Sequence, residues 1–533
     1  MRLFPVVRSL VLAALLGTLA AAQTPVTVQT DHGPVVGTQT DTRSFLGIPY
    51  AAPPVGDLRW RTPQPAMPWT TPRDATQFGS VCPQTVIALF AQPGETPGTV
   101  KGNEDCLTLN IYTPVGATPQ SQLPVMTWIH GGSFIAGSSV AYNGAELARK
   151  YGVIVVTLNY RLGALGWLSL PALSAEAGGQ SGNYGLQDQQ AALRWVQTNI
   201  AAFGGDPAKV TVVGESAGGN SVCAHLVSPQ SAGLFRGAII QSGLCTSPGN
   251  AVTLAQAETR NTRYATNLGC QATDLACLRN VDLQKLLAGK VPGLRPASNL
   301  VWSPVYASTT LPLQLRDAFE TGRFNRVPVI NGTNHDEGRL FVQVASPDGK
   351  PISPVLYWGG TGLTVGLINT SRTLARYPYR RYGTPALAFA TMFTDAVFSC
   401  TALRVNQALS KYVPVYAFEF NDPQAATLIK SPSDLPGLGS HHSSSLAYAF
   451  QAPVAGLSDP ALFTPAQRTL SDAFSGAWMA FVKTGNPNAA GTAWAPFATT
   501  RGNVQEFTPT GVQQSLNFAT DHQCGYWLPL DLQ

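Results

Sequence analysis

The 533-residue sequence lacks the features that usually divide a long chain into domains. It has no low-complexity linker, no block of like charges and no repeat of fixed period. Length alone would suggest about three domains. Because nothing in the sequence separates them, we predict one large domain over residues 23–533.

A basic stripe is also missing. The formal net charge of +5 at pH 7 is spread along the whole chain, which favours neither a nucleic-acid groove nor a polybasic membrane anchor. Hydrophobic residues make up 44% of the sequence, an ordinary share for a globular protein. We therefore expect a mildly basic, soluble protein with no nucleic-acid partner.

Metal-binding and phosphate-binding motifs are absent as well. The sequence contains no H-E-x-x-H segment, no Cys/His spacing typical of a metal site and no glycine-rich phosphate loop. No metal and no organic cofactor is predicted.

No apolar run beyond the N-terminus is long enough to span a bilayer. Arg2 and Arg8 give the chain a positive start, and residues 9–22 form a short apolar run rich in Leu and Ala. This run is shorter than the ~20 residues of a transmembrane helix. The pattern predicts a signal peptide over residues 1–22, cleaved before Gln23, with export to a periplasm or out of the cell and no stable membrane anchor.

Apolar runs and helical periods alternate along the chain. Leu123–Ile129 and residues 153–158 are short apolar runs bounded by turn or polar residues, which is typical of strands buried on both faces. Residues 187–203 carry apolar side chains at helical spacing, and residues 210–213 form another apolar run. This order of strand, helix and strand predicts an α/β protein with a parallel sheet.

The last of these strands runs directly into a G-x-S-x-G segment, residues 214–218. In such a turn the glycines allow a sharp bend that exposes the serine hydroxyl at the edge of the sheet. Small residues together with Val222, Ala224 and Leu226 continue after it and predict a helix. The strand-to-helix context predicts Ser216 as a nucleophile.

An acyl-transfer enzyme also needs hydrogen-bond donors for the oxyanion. The strand that ends at Ile129 is followed by His-Gly-Gly-Ser-Phe, in which small residues let backbone N–H groups point into a site. We assign Gly132, Ser133 and Ala217 as the oxyanion-hole donors. The alternative is an ordinary glycine turn.

Seven segments spread over most of the chain resemble the type-B carboxylesterase and cholinesterase family. The resemblance implies an α/β-hydrolase fold, with a central, mostly parallel, twisted sheet flanked by helices. The segments are FLGIPYA (45–51), EDCLTLN (104–110), NYGLQD (183–188), FGGDP (203–207), GESAGG (214–219), QSG (241–243) and KTGNPN (483–488).

The resemblance supplies an acid for a catalytic triad. The family carries its glutamate in a K/H-D-E-G segment after a strand, and residues 335–338 are His-Asp-Glu-Gly. Glu337 occupies that position, where its carboxylate would accept a hydrogen bond from histidine Nδ1–H. Asp336, one residue earlier, is the alternative.

The family's histidine lies in a G-x-x-H segment that a glutamate follows three residues later. Counting forward from Gly439 and back from Phe450 both give His442, and the adjacent His441 is the alternative. Ser445 stands where the family carries that glutamate. The order serine, glutamate, histidine agrees with that of α/β-hydrolases.

The eight cysteines are an even number, which suits an exported protein. The resemblance implies three disulfides, which join Cys82 to Cys106, Cys270 to Cys277 and Cys400 to Cys524. The remaining Cys223 and Cys245 flank the helix after Ser216 and the following strand. A fourth bridge between them is expected, with two buried free thiols as the alternative.

Together these features predict a secreted serine carboxylesterase that hydrolyses small uncharged esters through an acyl-enzyme. A lipase is the alternative, because residues 86–91 form an apolar stretch where the family carries a flap. A catalytically inactive adhesion protein of the same fold would be expected to lack the serine or the histidine.

Choline esters are predicted to be poor substrates. The cholinesterase branch stacks a loop tryptophan on the quaternary ammonium, and residues 83–105 contain no tryptophan, with Phe90 as their only aromatic residue. Trp302 lies in a segment near the family's acyl pocket. It is expected either to form an apolar wall there or to pack in the core.

Overall fold

The computed structural model describes residues 23–88, 91, 94–247, 252–289, 302–346, 349–488 and 493–530. The predicted signal peptide, residues 1–22, lies outside the described residues. Leu89 and Phe90, which belong to the apolar stretch 86–91, also lie outside them.

Seventeen strands occur in the described part of the chain. They are β1 (Thr24–Gln29), β2 (Pro34–Gln39), β3 (Thr42–Pro49), β4 (Arg73–Asp74), β5 (Gln84–Thr85), β6 (Val100–Lys101), β7 (Thr108–Pro114), β8 (Leu123–Ile129), β9 (Ile154–Leu158), β10 (Gly205–Glu215), β11 (Gly237–Gln241), β12 (Val252–Thr253), β13 (Val305–Tyr306), β14 (Val329–Asn334), β15 (Val415–Phe420), β16 (Val504–Thr508) and β17 (Gly511–Ser515).

Thirteen of these strands form one sheet, in the order β1-β2-β3-β7-β9-β8-β10-β11-β14-β15-β16-β17, with β4 beside β2. Every neighbouring pair from β9 to β16 is parallel. Antiparallel strands extend the sheet at both edges. The predicted α/β class with a mostly parallel sheet is confirmed.

Nineteen α-helices connect and cover the strands within the described ranges. They are α1 (Ala145–Tyr151), α2 (Gly163–Trp167), α3 (Pro171–Glu176), α4 (Tyr184–Asn199), α5 (Ala217–Val227), α6 (Leu254–Asn267), α7 (Leu275–Arg279), α8 (Leu283–Ala288), α9 (Leu315–Thr321), α10 (Gly338–Ala345), α11 (Pro354–Val365), α12 (Leu367–Arg376), α13 (Tyr379–Tyr382), α14 (Pro385–Phe393), α15 (Cys400–Leu409), α16 (Leu446–Phe450), α17 (Pro465–Thr484), α18 (Phe518–Asp521) and α19 (Cys524–Trp527).

Two apolar cores lie on the two faces of the sheet. Along β8, Val125 and Ile129 belong to one core, whereas Met126 and Trp128 belong to the other. This alternation follows from the two-residue period of a strand. Because both faces are covered, the central strands consist of nearly continuous apolar runs.

The longest helix, α17, has clear start and stop signals. The Thr464 hydroxyl accepts the Gln467 N–H while the Gln467 side chain accepts the Thr464 N–H, which is a capping box. Gly485 ends the helix in the left-handed conformation at φ 77°. Its buried face packs beneath the central strands, where Phe474 and Trp478 are fully enclosed.

Predicted element boundaries differ from the structure by a few residues. β8 has the predicted bounds, but α4 begins at Tyr184, before the predicted residue 187, and ends at Asn199. A 3₁₀ turn, Ile200–Phe203, completes the apolar pattern. β10 begins at Gly205 rather than at residue 210, because its pairing with β8 starts there before a register shift.

Contrary to the prediction that no apolar run beyond the N-terminus is long enough to span a bilayer, one helical run, Pro385–Leu409, has the length and composition of a membrane span. It comprises α14, a π-helical turn at Thr394–Ser399, and α15. Because 83% of its apolar window is buried inside the protein, the run has the character of a core helix.

Candidate active site

Ser216 lies in the tight turn between β10 and α5. Its backbone adopts φ 57° and ψ −122°, a strained conformation for a residue with a side chain. The Ser216 N–H donates to the Gln241 carbonyl at 3.0 Å, which holds the turn against β11. A Cβ atom at Gly218 would lie 2.0 Å from the Ile129 oxygen, so only glycine fits there.

Glu337 and His442 form a direct pair. Glu337 follows β14 at the start of α10, and its Oε2 lies 2.5 Å from His442 Nδ1. The other carboxylate oxygen accepts hydrogen bonds from the Ser242 hydroxyl at 2.5 Å and the Asn334 N–H at 2.8 Å. These contacts fix the carboxylate and orient the imidazole.

The two alternative residues are engaged elsewhere. Asp336 pairs with Arg339 at 2.8 Å and accepts the Ser440 N–H at 3.1 Å. The Nδ1 atom of His441 lies 3.1 Å from the Gly439 carbonyl. Neither residue contributes a hydrogen bond to the pair described above.

The second ring nitrogen of His442 faces another acid. His442 Nε2 lies 3.3 Å from Glu215 Oε1, and the same oxygen accepts a hydrogen bond from the Ser443 hydroxyl at 2.6 Å. Among the described residues, no hydrogen bond joins the Ser216 hydroxyl to His442. In ligand-free structures such catalytic hydrogen bonds are often long and tighten only when substrate binds.

Opposing influences act on the ionisation of these groups. Burial lowers the pKa of His442, but the charges of Glu215 and Glu337 and the hydrogen bond to Glu337 outweigh it, so the pKa is raised above its usual value. Burial raises the pKa of Glu215, against lowering contributions from His442 and Ser443. The imidazole therefore has two buried acidic neighbours.

Two aromatic rings enclose the imidazole. The ring centroids of Phe341 in α10 and Phe398 in the π-helical turn lie 5.2 Å and 5.0 Å from that of His442. Together with the Glu337 hydrogen bond, they restrict the rotation of the histidine side chain.

The loop after β8 lies against the serine turn. A Cβ atom at Gly131 would come within 2.9 Å of Ser216 Cβ, so the two backbones are in close contact. Gly132 and Ser133 both have positive φ values, 102° and 55°. Their amide N–H groups donate to no other group among the described residues, and Ala217 follows as the first residue of α5.

Sequence reasoning did not identify Glu215, Ser443, Phe341 or Phe398 as parts of this site. Glu215 lies inside the G-x-S-x-G segment and Ser443 directly follows His442, so their positions gave a usable signal. The sequence positions of the two phenylalanines gave no such signal. Ser445, which replaces the family's glutamate, is buried and its hydroxyl has no hydrogen-bond partner in the described part of the chain.

Trp302 packs in the core. Its side chain is buried and meets the Tyr264 ring edge-on, with centroids 5.3 Å apart. Of the two roles expected for Trp302 from the sequence, this contact agrees with packing in the core.

The structure contains four disulfides and no free cysteine among the described residues. The bridges are Cys82–Cys106, Cys223–Cys245, Cys270–Cys277 and Cys400–Cys524. The presence of four disulfides favours an extracellular location for the protein.

Two relatives are similar to the chain over most of its length. The para-nitrobenzyl esterase of Bacillus subtilis (strain 168) is 36% identical, covering 88% of this chain and 92% of the relative. The fumonisin B1 esterase of Sphingopyxis macrogoltabida is 35% identical, covering 95% and 92%.

A solved PNB esterase structure superposes with a TM-score of 0.76 at 33% identity, covering 93% of this chain and 98% of that one. This likeness confirms the expected α/β-hydrolase fold. The sequence profile of the Carboxylesterase family matches residues 24–357 and 366–527. The chain therefore belongs to the carboxylesterase family, a family of carboxylic ester hydrolases.

Proposed function

We propose that this enzyme hydrolyses uncharged carboxylic esters with Ser216 as nucleophile, His442 as general base and Glu337 as the acid that orients the histidine. The observation that carries the proposal is the 2.5 Å contact between Glu337 Oε2 and His442 Nδ1. It supports a defined imidazole tautomer, with Nδ1–H donating to the carboxylate and Nε2 available to accept a proton.

The sheet topology supports this grouping. Ser216 follows β10 and Glu337 follows β14, and both strands are parallel to β11 between them. His442 follows β15, the next parallel strand. The carboxyl ends of parallel strands meet at one edge of the sheet, so chain segments far apart in sequence converge on one site.

In the acylation step, His442 Nε2 takes the Ser216 proton while Oγ attacks the ester carbonyl carbon. The carbonyl oxygen becomes an oxyanion, which the amides of Gly132, Ser133 and Ala217 stabilise. Removing one such donor costs about 3–4 kcal/mol of transition-state stabilisation. The imidazolium then protonates the leaving alcohol as the carbon–oxygen bond breaks, and an acyl-enzyme remains.

In deacylation, water repeats these steps. His442 accepts a proton from the water, the resulting hydroxide attacks the acyl carbon, and the oxyanion forms in the same place. Collapse releases the carboxylic acid, and the proton returns to Ser216. The enclosure of His442 by Phe341 and Phe398 supports this role, because the base must keep its orientation through two proton transfers.

The name of the Bacillus subtilis relative supports an uncharged substrate, since a para-nitrobenzyl ester group carries no net charge. The loop bounded by Cys82 and Cys106 contains no tryptophan to stack on a quaternary ammonium. A desolvated cation–π contact contributes about 2 kcal/mol, so its loss weakens choline recognition by roughly thirtyfold. kcat/KM for a choline ester should therefore fall below that for a neutral ester of the same acyl group and similar size.

We also propose that the enzyme is exported after cleavage near Ala22, and that residues 23–533 act as one domain. The four disulfides support export, because such bridges persist in oxidising compartments. The single sheet that runs from β1 near residue 24 to β17 at residue 515 supports one folding unit.

The direct test is Ser216→Ala, assayed on p-nitrophenyl esters of graded acyl length. We expect nearly complete loss of turnover with an unchanged melting temperature, although the remaining machinery can still exceed uncatalysed hydrolysis by about 10³–10⁴-fold. Wild-type turnover in the variant would refute the assignment. In the wild-type enzyme, a preference for long acyl chains that appears only above the solubility limit would instead identify a lipase.

A further inference from the structure

A second cluster of ionisable side chains lies apart from the Glu337–His442 pair. It consists of His335 directly after β14, Glu419 in β15 and His522 directly after α18. One ring nitrogen of each histidine and one oxygen of Glu419 lie within 4.8 Å of one another. Nothing in the esterase mechanism uses these groups.

Carboxylates on the outer side orient both imidazoles. His522 directs Nε2 to Glu419 Oε1 at 2.7 Å and Nδ1 to Asp395 Oδ1 at 2.7 Å. Asp395 is itself fixed, since its other oxygen accepts the Tyr377 hydroxyl at 2.7 Å. His335 Nδ1 lies 3.4 Å from Asp336 Oδ1. Metal-binding histidines commonly make this kind of hydrogen bond through the nitrogen that does not bind the metal.

The cluster is open on one side. Glu419 and His522 are buried, whereas 39% of the His335 side chain is exposed. A cavity of about 180 Å³ adjoins the cluster, and its lining includes His335, Asp395, Thr394 and His522. This cavity has room for an ion and a water molecule beside the two histidines.

We propose that His335, Glu419 and His522 bind one zinc ion, with a water molecule from the cavity as the fourth ligand. Two imidazoles, one carboxylate and one water form a common zinc coordination set. Calcium and magnesium prefer oxygen ligands only, so this donor set favours zinc and neighbouring transition metals.

Zinc binding requires the ligand side chains to rearrange. In a tetrahedral site with bonds near 2.0 Å, ligand atoms lie roughly 3.3 Å apart. His522 Nε2 and Glu419 Oε1, now 2.7 Å apart, must separate by about half an ångström. The widest ligand pair, which is within 4.8 Å, must close by up to about 1.5 Å. Zinc takes the place of the proton shared between His522 Nε2 and Glu419 Oε1, and that proton is released to solvent.

The test uses the full mature chain, treated with a chelator and titrated with Zn²⁺ by calorimetry. We expect one high-affinity ion per chain and a higher melting temperature with zinc. Co²⁺ at the same site should give the intense visible absorption of a tetrahedral complex with nitrogen ligands. Absence of stoichiometric binding by the wild-type chain, or a cobalt spectrum without nitrogen ligation, would overturn the proposal.

Two variants locate the site. His335→Ala removes the exposed ligand, and Asp395→Asn removes the carboxylate behind His522. Asp395→Asn should weaken Zn²⁺ binding by roughly 10–100-fold, and His335→Ala by at least as much. His32→Ala is the control, because His32 is a partly exposed histidine paired with Asp31 at 2.7 Å and lies outside the cluster. If His32→Ala abolished the binding and His335→Ala did not, the assigned ligands would be wrong.

Discussion

At the scale of single residues, Glu337 and His442 limit each other's freedom. Glu337 is fully buried and uses both carboxylate oxygens. His442 has acids at both ring nitrogens. Burying a carboxylate costs free energy unless hydrogen bonds and charges compensate for it. The hydrogen bond and the charge of each partner therefore offset the cost of burying the other.

A matched pair of substitutions distinguishes the neighbouring histidines. His442→Gln should reduce kcat by at least about 10⁴-fold, because the variant has no base for the Ser216 proton. His441→Gln should retain turnover, because His441 Nδ1 contacts the Gly439 carbonyl and the backbone carbonyl of His441, which accepts from Asn334 Nδ2, is unchanged by the substitution. Initial rates on a p-nitrophenyl ester measure both. The reverse result would move the catalytic position to His441.

The pH dependence of the enzyme tests the role of Glu215. His442 must be neutral to accept a proton, so activity falls as the pH drops through its pKa. Glu215 raises that pKa, and Glu215→Gln should therefore lower it and move the acid limb of the kcat/KM profile to lower pH. The glutamine can still accept the Ser443 hydroxyl, which keeps the packing comparable. A shift of the acid limb to higher pH would contradict the account.

At the scale of elements, the turn between β10 and α5 depends on close backbone contact. Gly218 packs against the backbone of Ile129 and His130. The loop with the proposed oxyanion donors Gly132 and Ser133 begins there. The same contact therefore positions both the proposed nucleophile and the proposed oxyanion donors.

Gly218→Ala should disturb both the turn at Ser216 and the loop after β8. The added methyl group would meet the Ile129 oxygen at 2.0 Å, so we expect a loss of about 1–3 kcal/mol in the free energy of unfolding and a large fall in kcat. Gly359→Ala in α11 is the control, because its methyl group meets nothing within 4 Å, and there stability should be unchanged or slightly higher. Thermal unfolding and esterase assays of both variants give the comparison. Equal stability of the two would show that the turn tolerates a side chain.

Sequence patterns predicted the elements that carry strong periodicity. β8 was located to the residue, since a buried parallel strand is a continuous apolar run with polar ends. The start of α4 was placed too late, because Tyr184 and Gly185 are buried by tertiary contacts that no helical period reveals. Phe341 and Phe398 were missed for the same reason: they reach His442 only through the folding of α10 and the π-helical turn.

At the scale of the whole molecule, the disulfides close loops of very different length. Cys400–Cys524 closes a loop of 124 residues, and Cys270–Cys277 closes one of 7. Longer loops lose more conformational entropy in the unfolded chain when they are closed.

The two bridges should therefore differ in their effect on stability. Replacing both cysteines of the long bridge by serine should lower the free energy of unfolding by about 5 kcal/mol, against about 2 kcal/mol for the short bridge. Denaturant unfolding of the two double variants measures the difference. A larger loss from the short bridge would contradict the loop-length argument. Peptide mapping without reduction checks that the remaining bridges are unchanged.

The acyl-enzyme on Ser216 is the central claim, and trapping it is the most direct test. Wild-type enzyme is mixed with a p-nitrophenyl ester, quenched in acid during turnover and digested for mass spectrometry. The account predicts the mass of one acyl group on the peptide that contains Ser216, and no such mass in Ser216→Ala. An acyl group on another residue, or rapid turnover by Ser216→Ala, would contradict it.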